Sequence, residues 1–329
     1  MKGIRFAFRC CLTAIALLCL NNGSGAAQPV RIGLSSSSLP LASVRVAQEL
    51  GLFEKQGISV QIVPMENASV TTMGLISGSL DFAAAGPSDV VVSQARGQNV
   101  VVVSNLYRGF SGVLVISRRI AARLHLSEAA TVQERLKSLD GLVIAAPSAT
   151  ATSLITIKSA ADAAGARPHF TYMSQPAMIA ALESGAIDGF IASSPFYARP
   201  VVSGSGVVWL NGPKGEIPAP FAPPSTVTLN ARRDFVDAHP DLVRRVVAVF
   251  DELSRKVKEH PEEVKASIAK LYPTVDEHTM EFVFRTELSA FATTPIGPSE
   301  MAREIAFVRT SGLPLPDLGR LNPAAMIAK

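Results

Sequence analysis

Cysteine is scarce in this chain of 329 residues, and all three, Cys10, Cys11 and Cys19, stand near one end. The rest of the chain therefore has no disulfide framework, no zinc-binding cysteine pair and no thiol nucleophile. Histidine is nearly as rare. His125, His169, His239, His260 and His278 are scattered, no two of them spaced as metal ligands, so structural or surface roles are expected and no metal or other cofactor. No nucleophile elbow, phosphate-binding glycine loop or zinc-hydrolase helix occurs. Ser267-Ile268-Ala269-Lys270 has the serine-lysine spacing of penicillin-interacting enzymes without their companion motifs, and is read as chance. Charge is sparse at 18% of residues, and 31 Lys+Arg against 27 Asp+Glu leave a formal +4. A run long enough to span a membrane is also missing: the apolar stretch Cys10 to Leu20 has eleven residues, against the roughly 20 that a span needs. What is plentiful is apolar side chain, at 48%. That is too much for a disordered chain, and the length is too great for one small domain, so two globular lobes are expected.

The sequence pI near 9.0 suggests a nucleic-acid or membrane-surface partner. The N-terminal residues remove the suggestion. Lys2, Arg5 and Arg9, the apolar run, and the small residues Asn21 to Ala27 form the three parts of a secretory signal peptide. Gly25 and Ala27 place the cut before Gln28, which assigns residues 1–27 to the leader and leaves 28 basic residues against 27 acidic ones. A lipid anchor on Cys19 is the competing reading, disfavoured by the bulk of Leu18 before it. The expectation is an exported, periplasmic, monomeric and near-neutral protein with no nucleic-acid partner.

Beyond Gln28, short apolar runs alternate with helical patterns. Strands are expected at Val30 to Leu34, Ile58 to Val63, Leu80 to Ala85 and Val100 to Ser104. Helices between them stop at Gly51, Gly57 and Gly78. Strict alternation implies a parallel or mostly parallel sheet covered on both faces. The series recurs about 110 residues later, with Ser184-Gly185-Ala186-Ile187-Asp188 matching Ser77-Gly78-Ser79-Leu80-Asp81, a spacing of domain size. The fold class is α/β, two similar lobes with mixed, mostly parallel sheets and a ligand cleft between them. Lobe 1 takes residues 28–112, lobe 2 residues 113–221, and residues 222–329 return to lobe 1. In this last part prolines mark an extended connection before an amphipathic helix, Pro240 to His260, and further helices whose charges are read as a solvated face.

Ligands of open α/β sheets collect beyond the carboxyl ends of the strands. There the chain places its most hydroxyl-rich and least charged loops: Ser35, Ser36, Ser37, Ser38 and Leu39; Gly86, Pro87 and Ser88; Ser148, Ala149, Thr150 and Thr152; Ser193 and Ser194. Helix-start N–H groups with hydroxyls beside them form an anion site without a full positive charge, although each hydroxyl taken singly is also a plausible helix cap. Tyr107, Arg108 and Phe110 lie near the first crossover, where Arg108 offers a partner for an acidic solute and the aromatics a wall. Asp81 and Asp188, each just before a strand, are assigned to turn stabilisation.

Four segments, Gly51-Leu52-Phe53-Glu54-Lys55-Gln56-Gly57-Ile58, Ser77-Gly78-Ser79-Leu80-Asp81-Phe82-Ala83, Leu139-Asp140-Gly141-Leu142-Val143-Ile144 and Ala180-Ala181-Leu182-Glu183-Ser184-Gly185-Ala186-Ile187-Asp188, together resemble the periplasmic substrate-binding proteins of ABC importers of the nitrate, sulfonate and taurine type. The resemblance covers nearly the whole chain beyond the leader. It implies a type II periplasmic-binding-protein fold, ligand contacts in the loops just named, hinge closure, and delivery of the solute to a permease in the inner membrane. Enzymes of similar fold depend on cysteine-bearing sites, which this chain lacks. The expected solute is a small sulfonate- or carboxylate-like anion, with a neutral heteroaromatic held by Tyr107 or Phe110 as the alternative. An exported enzyme on the same scaffold, and a receptor feeding a membrane sensor, are the other functional readings.

Overall fold

The computed structural model describes residues 28–127, 129–147, 151–293, 295–316 and 318–328. The expected leader and Ser148, Ala149 and Thr150 lie outside the described residues. The chain first lays down β1 Val30–Leu34, α1 Ser43–Glu49, α2 Leu52–Lys55, β2 Val60–Pro64, α3 Ala68–Ile76, β3 Phe82–Ala85, α4 Pro87–Ala95 and β4 Val100–Arg108. It crosses to a second lobe with β5 Val113–Ser117, α5 Arg118–Leu124, α6 Val132–Lys137, β6 Val143–Ala146, α7 Thr152–Ala163, β7 His169–Tyr172, α8 Gln175–Ser184, β8 Gly189–Ala192, α9 Ala198–Val202 and β9 Gly206–Asn211. It returns as β10 Ser225–Arg232, followed by α10 Arg233–Ala238, α11 Pro240–Glu259, α12 Pro261–Leu271, α13 Glu277–Glu287 and α14 Pro298–Thr310.

Each lobe holds a five-stranded sheet, ordered β2-β1-β3-β10-β4 in one and β7-β6-β8-β5-β9 in the other. The two orders are the same pattern. In both, the fourth strand, β10 or β5, runs antiparallel to its neighbours and arrives directly from a crossing segment. Local alternation signalled only the parallel strands. β5, β9 and β10 follow glycine- and proline-rich stretches that read locally as connection, and their pairing partners lie far away in sequence. Asp81 and Asp188 confirm the match between lobes. Asp81 accepts the Arg31 N–H at the start of β1 at 2.8 Å, and Asp188 accepts the Val143 N–H at the start of β6 at 2.9 Å. Each carboxylate also faces an arginine, Arg31 at 2.8 Å or Arg119 at 3.8 Å.

The long amphipathic helix α11 buries Val243, Val246, Val249, Phe250, Leu253 and Val257, a stripe at helical spacing. The core beneath it is continuous between lobes. Val243, Phe250 and Val283 of the C-terminal helices share one apolar cluster with Met178, Leu182, Phe190 and Tyr197 of the second lobe. A separate core around Trp209, Ile144 and Leu114 fills the far face of the second sheet, and a third joins α14 to α4 through Met301, Ile305, Val90 and Val91.

The crossings between lobes lie back to back. The Gly212 N–H donates to the Gly112 carbonyl at 3.1 Å, and a Cβ on Gly212 would stand 2.4 Å from that oxygen and 2.6 Å from the Phe110 carbonyl. Two backbone carbonyls and the Phe110 ring, at 2.5 Å, together block the space. Gly212→Ala is therefore expected to lower stability by roughly 1–3 kcal/mol, read as a fall in the urea midpoint; an unchanged midpoint would show that the crossings separate freely.

Candidate ligand-binding site

The parallel strands β1, β3, β6 and β8 direct their carboxyl ends to the loops singled out above, and two of those loops meet across the lobes. The Leu39 N–H donates to the Ser194 carbonyl at 3.2 Å, and the Ser111 and Ser193 hydroxyls stand 3.5 Å apart. Behind them, Ser111 N–H donates to the Thr226 hydroxyl at 2.8 Å, and that hydroxyl donates to the Gly109 carbonyl at 2.7 Å. Gln175 turns its side-chain oxygen toward the site and accepts the Ser193 N–H at 2.9 Å.

Among the described residues, the candidate hydroxyls do not serve as side-chain caps of the helices that follow them. Ser36 accepts the Ser38 N–H at 3.2 Å and lies 2.9 Å from the Ser38 hydroxyl, while Ser35 N–H reaches the Ala84 carbonyl at 3.4 Å. The exposed Ser37 offers its carbonyl to the Tyr272 hydroxyl at 2.8 Å. Gly86 is followed by the buried Pro87 at the start of α4, with the Gly86 N–H on Asp89 at 3.0 Å. Helix α7 opens on Thr152 with Ala151 at the cap position, whose side chain offers no acceptor to the first-turn N–H groups, so that its own cap leaves the positive helix end uncompensated. Arg108 is exposed at the end of β4, level with Ser225 of β10.

Three of the candidate residues are tied to buried carboxyls. The Tyr107 hydroxyl donates to Glu287 Oε2 at 2.8 Å, and the Ser194 hydroxyl donates to the same oxygen at 2.7 Å. Tyr107 ends a strand of the first lobe, Ser194 follows a strand of the second, and Glu287 closes α13. One fully buried carboxyl thus joins three parts of the chain. Tyr197 lies beside it, packed edge to face on Phe282 at 6.3 Å, but neither its hydroxyl nor Glu287 Oε1 has a hydrogen-bond partner among the described residues. Tyr107 packs likewise on Phe291 at 5.2 Å. The Ser88 hydroxyl donates to Glu304 of α14, whose second oxygen has no partner among the described residues.

Glu287 and Glu304 are absent from the candidates drawn from sequence, and the reading of the C-terminal charges as a solvated face fails at these two positions and at the buried Lys256. A signal for both is there. Met280, Val283, Phe284 and Glu287 follow helical spacing, as do Met301, Glu304, Ile305 and Val308, so each glutamate occupies a core position of an otherwise apolar stripe. Ser267 and Lys270 separate, the first buried in α12 and the second paired with Glu49 at 2.7 Å, in keeping with a chance motif.

Burial raises the two buried glutamates, Glu287 to about 6 and Glu304 to about 8, the latter with a smaller push from Asp89, and raises the half-buried Asp89 to about 6. A carboxyl raised on folding binds its proton more tightly in the folded state. Its burial therefore costs least at low pH, and stability falls as pH climbs from the ordinary carboxyl range through the raised values. Urea unfolding is expected to show greater stability at pH 5 than at pH 8. Glu304→Gln should recover roughly 1–3 kcal/mol at pH 8 and little at pH 5; equal effects at both would contradict a titrating Glu304. Tyr107→Phe, which takes one donor from Glu287, is expected to cost about 1–3 kcal/mol in the same measurement at neutral pH.

The NMT1-like family matches residues 26–272 of the chain. A Bacillus subtilis protein provisionally named as an aliphatic sulfonates-binding protein is 26% identical over 256 residues, covering 75% of this chain and 70% of its own length. Among solved structures, the periplasmic aliphatic sulphonate binding protein of Escherichia coli is similar with a TM-score of 0.67 at 16% identity, covering 89% of this chain and 97% of that one. The periplasmic nitrate-binding protein of Synechocystis gives 0.64 at 14% identity over 87% and 82% of the two chains. At such identities the structures speak for the fold, two α/β lobes of periplasmic-binding-protein type. With its family match extending over both sheets, the chain belongs to the NMT1-like family.

Proposed function

We propose that the protein is an extracytoplasmic solute receptor that clasps a small organic anion between its lobes and presents it to an ABC permease. The observation that carries this reading is the meeting of strand-end loops from two matched sheets at Leu39–Ser194 and Ser111–Ser193. Around this meeting point are hydroxyls and, at the start of α7, helix N–H groups with no side-chain cap. Such a site neutralises a sulfonate or carboxylate through many partial charges and leaves no full charge buried when the solute departs. Ser35 to Leu39, Gly86 to Ser88, Ser148 to Thr152, and Ser193 with Ser194 supply the contacts. Arg108 stands at the rim, and Tyr107 braces the Ser194 loop through Glu287. The relatives named for sulfonate and nitrate binding support the anion. The leader composition supports export to the periplasm, and the glycine crossing supports hinge closure.

Closure and ligand class are checked together. Calorimetry of the purified protein against methanesulfonate, acetate, nitrate and neutral sugars is expected to give one-to-one binding of an anion, with a smaller radius of gyration by X-ray scattering at saturation. Binding only of cations or sugars would overturn the anion, and an unchanged radius would overturn the clasp. A chemically unchanged solute after prolonged incubation, read by mass spectrometry, separates the receptor from an enzyme on the same scaffold.

A further inference from the structure

The seam between the lobes passes through Glu287. On its first-lobe side stands Tyr107, packed on Phe291 just beyond α13; on its second-lobe side stand Ser194, in the loop after β8, and Tyr197, packed on Phe282 of α13. Helix α13 itself lies against α9 of the second lobe. The carboxyl is used unevenly. Its Oε2 accepts both hydroxyls, from Tyr107 at 2.8 Å and from Ser194 at 2.7 Å, while Oε1 and the Tyr197 hydroxyl, both buried, have no partner among the described residues. An ionised carboxylate shares its charge between two oxygens, and a buried one would leave the second bare. A neutral carboxylic acid fits the pattern: Oε2 is its carbonyl oxygen, able to accept two hydrogen bonds, and Oε1 is its hydroxyl, with the Tyr197 oxygen as an acceptor nearby.

No cation stands against this. The titratable and charged groups that face Glu287 are Tyr107 from β4, Tyr197 ahead of α9 and, further off, Tyr272 after α12, which also feels Arg45 of α1. Arg108, Arg199 and Arg285, on the neighbouring elements, are exposed, and among the described residues Glu287 has hydroxyl partners only. Burial above all, and then Glu287, pushes the Tyr107 and Tyr197 phenols up, and burial does the same to Tyr272. All three therefore stay neutral from pH 5 to 8, and the carboxyl is the group of this cluster that changes charge there.

We propose that Glu287 is a proton-operated clasp: as a neutral acid it holds the Tyr107 and Ser194 hydroxyls, and with them the two lobes, together, and loss of its proton releases the lobes and the solute between them. This rests on the receptor reading above and adds to it a positioning residue that touches no solute. Where the lobes meet, burial keeps the proton on the carboxyl. Where they part, water reaches it and its hold on the proton falls back to that of an ordinary glutamate. Closure therefore takes up a proton, is favoured at low pH, and is opposed as pH rises through the range in which the buried carboxyl ionises.

Methanesulfonate and nitrate stay anionic from pH 5 to 8, so a pH dependence of their binding belongs to the protein. Calorimetry is expected to give an affinity roughly tenfold higher at pH 5 than at pH 8, and heats in buffers of different ionisation enthalpy should show protons taken up on binding near pH 6. Glu287→Gln, the neutral isostere, should keep the higher affinity at both pH values and take up no proton. Without solute, the radius of gyration by X-ray scattering should be larger at pH 8 than at pH 5, a difference that Glu287→Gln abolishes. Tyr107→Phe carries the test if Glu287→Gln fails to fold: with one donor fewer the carboxylate is harder to form, so the fall in affinity should move to higher pH, whereas a merely structural role would weaken binding equally at every pH. Equal anion affinity at both pH values with no proton uptake overturns the clasp and leaves the receptor reading intact. A pH dependence that survives Glu287→Gln and disappears in Glu304→Gln overturns it too. A pH-dependent radius that is lost in Glu287→Gln, in a protein that takes no anion, removes the receptor reading and leaves the clasp.

Discussion

The contact of Gly212 with Gly112 is a constraint that both lobes inherit. Two crossing segments can run side by side at 3.1 Å between N–H and carbonyl because Gly212 carries no Cβ, which would stand 2.4 Å from the Gly112 oxygen. Once they do, each segment leads into a strand that must run against the direction of its sheet, because the chain enters from the edge where the parallel strands end. β5 and β10 therefore take the same fourth place in the two sheets. With the fourth places filled from the crossing side, the remaining strand ends and their loops face the same gap. The candidate site's position follows from the crossing, and the chemistry proposed for it follows from the loops.

Glu287 serves the same junction by a different means. A carboxyl withdrawn from water is costly, and here two hydroxyls from different lobes offset part of that cost at 2.7 and 2.8 Å. Among the described residues its second oxygen and the nearby Tyr197 hydroxyl have no hydrogen-bond partner, which leaves the network only partly satisfied. A partly satisfied network has less to lose on rearrangement than a complete one. Glu304 repeats the device under α4, drawing the Ser88 hydroxyl inward. Two of the loop hydroxyls therefore position loops through carboxyls on the C-terminal helices, so the helical return supports the candidate loops and is more than a cover for the first sheet.

Much of the fold was legible because its signals are short-range. Glycine stops, apolar runs and the stripe of α11 fall close to the observed bounds, with the helix expected from Pro240 to His260 found at Pro240–Glu259. The recurrence of Ser-Gly-small-apolar-Asp was a sound guide to lobe equivalence, since Asp81 and Asp188 each hold the start of a neighbouring strand. The antiparallel fourth strands were not legible. Ser225 to Arg232 has nothing in its local pattern to say that its partners are β3 and β4, more than a hundred residues earlier. The loop hydroxyls were legible as residues but not by destination: Ser88 and Ser194 turn to carboxyls whose burial depends on helix packing.

By itself the sequence determined the element series, the two-lobe repeat, the polar strand-end loops and the absence of cysteine chemistry beyond residue 19, since each is a matter of residue type and near-neighbour spacing. Tertiary structure alone decided which strands run backwards, which glutamates lose their water, and that Tyr107 of the first lobe and Ser194 of the second meet on one carboxyl. Those outcomes depend on bringing together side chains separated by up to about two hundred positions, as Tyr107 and Glu287 are. Burial and desolvation, unlike helix stops and strand alternation, are properties of the assembled surface and have no local signature strong enough to replace it.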